Sequence, residues 1–315
     1  MFDIFSIILI VLALILFETI TSIDNAIINA DVLSKMGAKA RRWFLVWGLL
    51  IAVFLVRGVL PTLLIYFSTP GIGIEGAITA TFSDDPRIAE AIESTSPILL
   101  MGGGMFLLFL FLHWLFLERK NFGLRGEEFF QKQGVWFFAL AAILLSIIVW
   151  FSLQVSPMLA FGAVMGSTAF FIVHGFRENA EKKEKEIIEG KTSMSDWSKI
   201  FYLEVIDATF SIDGVLGAFA FTFSIPLILL GNGIGAFVVR EITIHNVDRV
   251  RKYIFLKNGA MYSIMVLGSI MVLDAFGYHI PNWFSPLATF GVVGFFFFKS
   301  RQQLKRTGQN GVMQT

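Results

Sequence analysis

The chain has 315 residues, of which 56% are hydrophobic and 35 are phenylalanine, and its formal net charge is +1. Soluble domains are typically ~45–50% apolar, so the composition excludes an ordinary soluble fold, and the lack of a basic arm gives no support to nucleic-acid binding. Because cysteine is absent, disulfides and thiolate metal ligands are excluded as well. We therefore expect an all-α, polytopic membrane helical bundle, forming a single membrane domain over residues 1–315 in a lipid bilayer.

Long apolar runs predict about nine membrane spans, since ~20 residues are needed to cross the hydrocarbon core. The first run follows Met1 without a basic segment and is longer than the apolar region of a signal peptide, so we predict a retained span. A charged segment over residues 177–198 follows the fifth span and is expected to form a short solvated helix. The predicted spans cover residues 4–33, 43–67, 98–117, 135–153, 158–176, 200–223, 227–244, 259–276 and 287–298.

The basic residues between the spans predict the orientation of the chain. With the N-terminus outside, Arg87 is the only base in an outside loop, while all the other loop bases lie inside. We therefore predict an integral protein of a prokaryotic cytoplasmic (inner) membrane, with its N-terminus outside and its C-terminus in the cytoplasm. The inside segments are residues 34–42, 118–134, 177–198, 246–257 and the C-terminal tail.

Two acidic motifs interrupt the apolar runs, one on span one and one on span six. An acid at membrane depth costs roughly 2.5–3.5 kcal/mol on insertion scales, so it is rare and usually functional. Matched polar interruptions in the two halves of a chain predict a transporter site. The first motif contains Glu18, Ser22, Asp24 and Asn25, and the second contains Glu204, Asp207, Ser211 and Asp213. Aligning their Ser-Ile-Asp triplets pairs Glu18 with Asp207, Ser22 with Ser211, and Asp24 with Asp213.

Spans one and six cross the membrane in opposite directions in the predicted topology, so the two motifs enter it from opposite sides. This predicts an inverted repeat, with residues 1–117 as the first half and residues 199–315 as the second, and with the motifs meeting near the midplane. Residues 118–198 supply connecting spans and a cytoplasmic linker. The next span of each half carries an arginine, Arg57 or Arg240, which we expect to be a counter-ion for the acids.

The spacing of the first motif predicts a distorted helix. Asp24 lies six residues after Glu18, which places it ~240° around an ideal helix, so both acids cannot face one small site. Either the bundle surrounds the helix, or the helix unwinds between Ser22 and Asn25. We predict local distortion at both motifs, because backbone carbonyls exposed at a break are ligands for cations.

The side chains of the motifs predict a hard divalent cation. They offer carboxylate, carboxamide and hydroxyl oxygens and no imidazole, which suits Mg²⁺, Mn²⁺ or Ca²⁺. Five acids exceed the charge of one such ion, so arginines compensate or some acids are protonated, and proton uptake on metal release would couple the two ions. Asn29 and Asp31 could extend the site, whereas His113 and His174 are expected to be interfacial or packing residues. The candidate ligands are Glu18, Asp24, Asn25, Glu204, Asp207 and Asp213, supported by Ser22, Ser211, Arg57 and Arg240.

The two motifs resemble those of the TerC family of integral membrane proteins, within the LysE-type transporter superfamily. The resemblance implies a Mn²⁺-linked membrane transporter and, by the same analogy, an exporter. This chain has Gly214 where that family often has serine, and its 68–97 loop and nine spans depart from shorter members. Glu18, Ser22, Asp24 and Asn25 match the first family motif, Glu-x-x-x-Ser-x-Asp-Asn, and Glu204, Asp207 and Asp213 match the second.

These observations together predict a secondary transporter, and not an enzyme, that exports manganese or a similar dication as its substrate by alternating access. Its oligomeric state is left open. One alternative is a membrane metalloenzyme that uses the same acids, which no nucleophile–base constellation in the sequence supports. Another alternative is a metal-stress sensor or scaffold that binds the ion without moving it.

Overall fold

The computed structural model describes residues 4–48, 51, 57–68, 73, 86–189 and 194–312. These residues form helices joined by turns and contain no strand, which confirms the all-α prediction. In chain order the helices are α1 (Ile4–Thr21), α2 (Ile23–Ser34), α3 (Ala38–Trp43), α4 (Leu60–Ser68), α5 (Pro86–Leu117), α6 (Glu127–Lys132), α7 (Phe137–Val155), α8 (Pro157–Ile188), α9 (Asp196–Ala218), α10 (Ile225–Glu241), α11 (Val247–Arg251), α12 (Leu256–Ala275) and α13 (Phe284–Val312).

Six segments of the described chain are long and apolar enough to cross a membrane, which confirms a polytopic helical membrane protein. Three of the nine predicted spans are not among them. Span two falls partly outside the described residues, α9 carries the acids of the second motif, and only the first part of α13 is apolar. The six segments are Ile4–Thr21, Ser94–Leu117, Gly134–Val155, Pro157–Asn179, Ile225–Asn246 and Leu256–Ala275.

Helix α5 lies at the centre of the bundle. Helices α8 and α12 pack along it, α7 packs on the outer side of α8, and α1 packs against α10. The side chains of Met101, Phe106 and Trp114 on α5 are completely enclosed, whereas most of α7 is exposed. An apolar helix with so little protein contact is suited to face lipid, so α5 supplies the core and α7 the periphery.

Glycines on α5 allow its two neighbours to approach closely. Gly102 contacts the backbone of Gly162 and Gly166 on α8, and Gly104 contacts the backbone of Gly268 on α12. Small residues let membrane helices pack backbone against backbone, where dispersion forces and weak hydrogen bonds hold them. The glycine-rich start of the third predicted span therefore serves helix packing.

Helix α8 is longer than the sequence predicted. Ser156 caps its N-terminus by accepting a hydrogen bond from the Met158 amide at 3.2 Å, and Pro157 occupies the first turn. The helix then runs without interruption to Ile188, because the residues after Phe176 are mostly good helix formers. Residues 177–188 are thus helical with mostly exposed side chains among those described, as the sequence predicted, but they continue the helix of the fifth span and do not form a separate helix. Arg177 belongs to the bundle.

The contact between Gly102 and Gly166 generates a stability prediction. A methyl group on Gly166 would collide with the backbone of Gly102, so we expect Gly166→Ala to separate α5 from α8 and to destabilise the protein by about 1–3 kcal/mol. The matched control is Gly175→Ala on the same helix, where nothing lies within 4 Å of the new methyl group. Thermal unfolding in detergent measures both changes, and equal midpoints for the two variants would contradict the packing role.

Candidate functional site

The first motif sits at a break between two helices. Helix α1 ends at Thr21 and α2 begins at Ile23, with Ser22 in a turn at φ −90° and ψ 2°. Helical hydrogen bonds persist on both sides, from Ser22 N to Glu18 O at 3.1 Å and from Ala26 N to Ser22 O at 2.9 Å. The predicted distortion is therefore present in the first motif, as a one-residue interruption.

The second motif lies within a continuous helix, so the predicted distortion is wrong there. Helix α9 runs through Glu204, Asp207 and Asp213 without a break. The Ser211 hydroxyl donates to the Asp207 backbone carbonyl at 2.6 Å, which ties this side chain to its own helix. Asp207 and Asp213 obtain their partners from outside α9, and the backbone does not need to open to satisfy them.

A buried arginine joins the two motifs. Arg57 forms an ion pair with Glu18 through Nη2, and its Nη1 lies 3.9 Å from Asp207 Oδ2. Asn25 Nδ2 donates to Asp207 Oδ1, and the Ser22 hydroxyl donates to Glu18 Oε1 at 2.8 Å. Glu18 and Arg57 are only 2% and 3% exposed, so their charges are shielded from water. Residues predicted to lie in opposite halves of the chain thus share one charged cluster.

A small cavity of about 60 Å³ lies beside this cluster. Its lining brings together three carboxyl groups, from Glu18, Glu204 and Asp207, and two guanidinium groups, from Arg57 and Arg240. Two of the oxygens around it, Glu204 Oε1 and Asn29 Oδ1, are buried and have no hydrogen-bond partner among the described residues. Buried oxygens of this kind are costly unless they receive a partner. The other lining residues are Ser22, Asn29, Phe44, Leu45, Gly48, Ala236, Val239 and Thr243.

π-helical turns border the small cavity in both halves of the chain, and Arg57 itself lies in a described π-helical stretch over residues 57–59. One turn covers Phe44–Gly48 and follows α3, and another covers Ile242–Asn246 and follows α10. Such wide turns are rare and are frequent at functional sites. A side chain at Gly48 would collide with Glu204 Oε1, so this glycine makes room for the carboxyl group. No periodicity in the sequence indicated these turns.

Asp213 faces a second and larger cavity, of about 520 Å³. It lies six residues after Asp207, on a different side of α9. Its Oδ2 lies 3.5 Å from Arg177 Nη2 on α8, and both side chains are largely buried. Ser22 and Asn25 also line this cavity, together with residues of the predicted cytoplasmic segments 118–121 and 250–258. Ser22 lines both cavities, so the break between α1 and α2 separates them.

The remaining predicted residues have different surroundings. Arg240 lines the small cavity, but its recorded ion pair is with the adjacent Glu241 at 3.9 Å, so Arg177 provides the counter-ion that Asp213 has in this structure. Asp31 accepts two hydrogen bonds at 2.9 Å from Arg251, which lines the larger cavity, and Asp31 itself lines neither cavity. The side chain of Asp24 lies outside the described residues. The sequence analysis did not identify Arg177 as a counter-ion, because it assigned the charged residues after Phe176 to the cytoplasmic linker.

The acids do not form a ready-made metal cage. No three His, Cys, Asp or Glu side chains among the described residues are grouped to hold a metal ion. Arg57 lies between Glu18 and Asp207, and Arg177 accompanies Asp213. A cation that binds these carboxylates must therefore compete with a guanidinium group.

The family model described as "Protein of unknown function (DUF475)" matches residues 23–307. The chain belongs to the DUF475 family. The resemblance to the TerC family is therefore wrong as an assignment, since the matching family is DUF475 and no TerC match is found. That resemblance depended on two short motifs, whereas the DUF475 match covers nearly all of the helices. The match begins after Glu18 and Ser22, so these two residues lie outside it.

One curated relative of this DUF475 protein is "Uncharacterized membrane protein YceF" of Bacillus subtilis (strain 168). The two chains are 27% identical over 105 residues, which is 33% of this chain and 41% of YceF. The match thus spans about two-fifths of the length of that relative. No solved structure matches this chain. Together with its helices, the relative supports an integral membrane location for this member of DUF475.

The buried pair of Glu18 and Arg57 generates a second prediction. Arg57→Met leaves both Glu18 and Asp207 without their arginine, so we expect it to destabilise the protein by about 3–5 kcal/mol, whereas Glu18→Gln leaves Arg57 with Asp207 and should cost less. The double variant removes the uncompensated charge of Glu18 and is expected to be more stable than Arg57→Met alone. Thermal unfolding in detergent measures this cycle. The exposed pair Glu178–Lys182 is the control, because Lys182→Ala should leave the midpoint unchanged, and additive effects at Glu18 and Arg57 would contradict the pairing.

Proposed function

We propose that this protein transports a hard divalent cation, with Mn²⁺ as the first candidate and Mg²⁺ or Ca²⁺ as alternatives of the same chemistry. The observation that carries the proposal is the convergence of Glu18 and Asp207 on Arg57 beside a small cavity. Acids at membrane depth mark ion pathways. Their contribution from two separate motifs matches the way in which repeated halves build transporter sites.

The size of the cavity favours an ion over an organic substrate. Pockets for small organic ligands measure about 300–1,000 Å³, whereas this cavity measures about 60 Å³. A space of this size has room for a few water molecules or for an ion with a few ligands. This limit applies to the small cavity alone, because the larger cavity at Asp213, of about 520 Å³, lies within the range for small organic ligands.

The ligand chemistry favours a hard dication. The cavity presents oxygens of Glu18, Glu204, Asp207 and Asn29, and carboxylate and carboxamide oxygens are the preferred ligands of Mg²⁺, Mn²⁺ and Ca²⁺. Glu204 Oε1 and Asn29 Oδ1 have no hydrogen-bond partner among the described atoms, so they are available to a cation. The lining also includes the Ser22 hydroxyl, which donates to Glu18 Oε1, so the metalloenzyme alternative is separated from transport by the flux experiment below and not by the lining.

Guanidinium exchange supplies a mechanism for binding and release. In this structure Arg57 holds Glu18 and Asp207, and Arg177 holds Asp213. A dication that reaches either place replaces the arginine, and the arginine returns when the ion leaves, so the carboxylates stay compensated throughout. This spares the carboxylates, but not the displaced guanidinium group, the cost of several kcal/mol of a buried unpaired charge.

We propose export as the direction of transport. The larger cavity is lined by residues from segments that the charge bias assigns to the cytoplasm, and it reaches Asp213 and Ser22. Cytoplasmic ions would enter there and pass the helix break to reach Glu18 and Asp207. This proposal depends on an inner-membrane location with the N-terminus outside.

Ion flux tests the proposed function directly. We expect the purified protein in proteoliposomes to carry Mn²⁺, and we expect Asp207→Asn and Asp213→Asn each to lower the initial rate at least tenfold, because each removes a carboxylate from the path. The control is Asp274→Asn, at the end of α12 and away from both cavities, which should stay within twofold of the wild type. Binding of Mn²⁺ without flux would indicate a sensor instead, and no binding would overturn the proposal.

The orientation is tested by single cysteines, since the natural chain has none. We expect Asn282→Cys to react with a membrane-impermeant maleimide added to whole cells, because it lies in a predicted outside turn. Arg125→Cys and Gln302→Cys should react only after the membrane is opened, and all three positions are exposed in the structure. The reverse labelling pattern would invert the orientation and, with it, the proposed direction.

A further inference from the structure

Two histidines form a contact pair that the proposed cation path does not use. His113 on α5 and His174 on α8 have ring centroids 3.9 Å apart, with an angle of 52° between the rings. The His174 ring stacks on Phe170 at 5.7 Å, and the His113 ring meets the edge of Phe137 at 5.5 Å. His113 is only 8% exposed. Both histidines thus pack against aromatic rings, in agreement with the packing role that the sequence analysis expected, and they also contact each other.

Charged groups from three helices surround this pair. Glu118, directly after α5, has Oε1 at 3.7 Å from His113 Nδ1, and its Oε2 lies 2.8 Å from Lys257 Nζ on α12. Arg177 and Glu178 lie about one turn beyond His174 on α8. Burial opposes the ionisation of Glu118, but His113 and Lys257 outweigh it and hold the pKa of this carboxyl below its ordinary value. An ionised carboxylate thus stands beside the imidazoles.

Two imidazoles in contact can share one proton but cannot both be charged, since like charges at this distance repel. Histidine is also the side chain that ordinarily changes charge near neutral pH. Glu118 places a negative charge on one side of the pair, and Arg177 places a positive charge on the other helix, three residues after His174. The proton on the pair therefore depends on how strongly the charge of Arg177 is neutralised by its partners.

Arg177 connects the histidine pair to the proposed cation path. Its Nη2 lies 3.5 Å from Asp213 Oδ2, and it follows His174 by three residues, so the two side chains are neighbours on α8. A dication at Asp213 would add positive charge and release Arg177 from its partner. Both changes raise the positive potential at His174 and expel a proton from the pair.

We propose that His113 and His174 form a proton-binding site that exchanges one proton for the cation at Asp213. The inference rests on the proposed function and adds a coupling ion to it. When the cation arrives, an imidazolium N–H bond breaks and the proton passes through Glu118 to water in the larger cavity, which Glu118 also lines. When the cation leaves, a proton returns by the same groups, so the reaction is an exchange of charges with no other reactant.

The linkage is reciprocal: if the cation lowers the proton affinity of the pair, a proton on the pair lowers the cation affinity by the same factor. The histidines therefore need not touch the cation to influence it. This distinguishes them from cation ligands, whose removal would weaken binding at every pH.

The first experiment needs no metal. Imidazole NMR signals of the full-length protein are followed against pH, with the four histidines assigned by single His→Gln variants. We expect the wild-type pair to take up one shared proton, and Asp213→Asn to lower its midpoint by about 0.5–1 pH unit, because Arg177 loses its neutralising partner. Asp274→Asn is the control and should shift nothing. An unchanged midpoint in Asp213→Asn would overturn the linkage.

The second experiment measures the affinity for Mn²⁺ between pH 5.5 and 7.5. We expect the wild type to bind about tenfold more tightly at the higher pH, and His113→Gln and His174→Gln each to reduce this change to less than threefold while still binding Mn²⁺. His279→Gln, at an exposed turn, should behave as the wild type. Full pH dependence in both histidine variants would overturn the histidine site alone. Absence of Mn²⁺ binding at every pH would overturn the proposed function, and the NMR titration would still decide whether Asp213 controls the pair.

Discussion

The structure depends on the requirement that a carboxylate inside a membrane protein be matched by an opposite charge. Glu18 and Asp207 meet this requirement through one guanidinium group, that of Arg57. Because one arginine serves acids from α1 and α9, the two helices must lie together at this depth, and any arrangement that separates them exposes a buried charge. Electrostatic matching thus fixes the relative position of the two motifs more strictly than apolar packing alone can.

Glycine provides the space that this matching requires. Gly231 and Gly235 on α10 lie against Leu14 and Glu18, and a methyl group on Gly235 would meet Glu18 Cβ at 2.7 Å. On α9, Gly214 lies beside Glu18 Oε2, where a methyl group would come within 3.1 Å. The absence of a side chain at Gly214 is therefore not the loss of a ligand. It leaves room for a carboxyl group that arrives from the other motif.

The helical spans could be predicted from the apolar runs, because a span depends on local composition. The proximity of Glu18 and Asp207 could be predicted from the matching spacing of the two polar motifs. The role of Arg177 was not predictable in this way. After Phe176 the sequence becomes rich in charged residues, which indicates a solvent-exposed segment. Helix α8 nevertheless continues through this segment and places Arg177 beside Asp213. The π-helical turns could not be predicted from the sequence either, because they arise from packing around the cavity and leave no periodic pattern. Family membership, finally, depends on the whole chain, and two short motifs gave the wrong family.

The spacing of the acids argues for two successive places for a cation and against one central cage. Asp207 faces the small cavity and Asp213 the larger one, and each acid has its own arginine from outside the motifs. One small ion cannot contact both acids, because six residues of helix place them on different sides of α9. The helix break at Ser22 borders both cavities and offers the passage between them. On the proposed function, an ion moves from one compensated carboxylate to the next, and the arginine that it displaces at each place is what makes the step reversible.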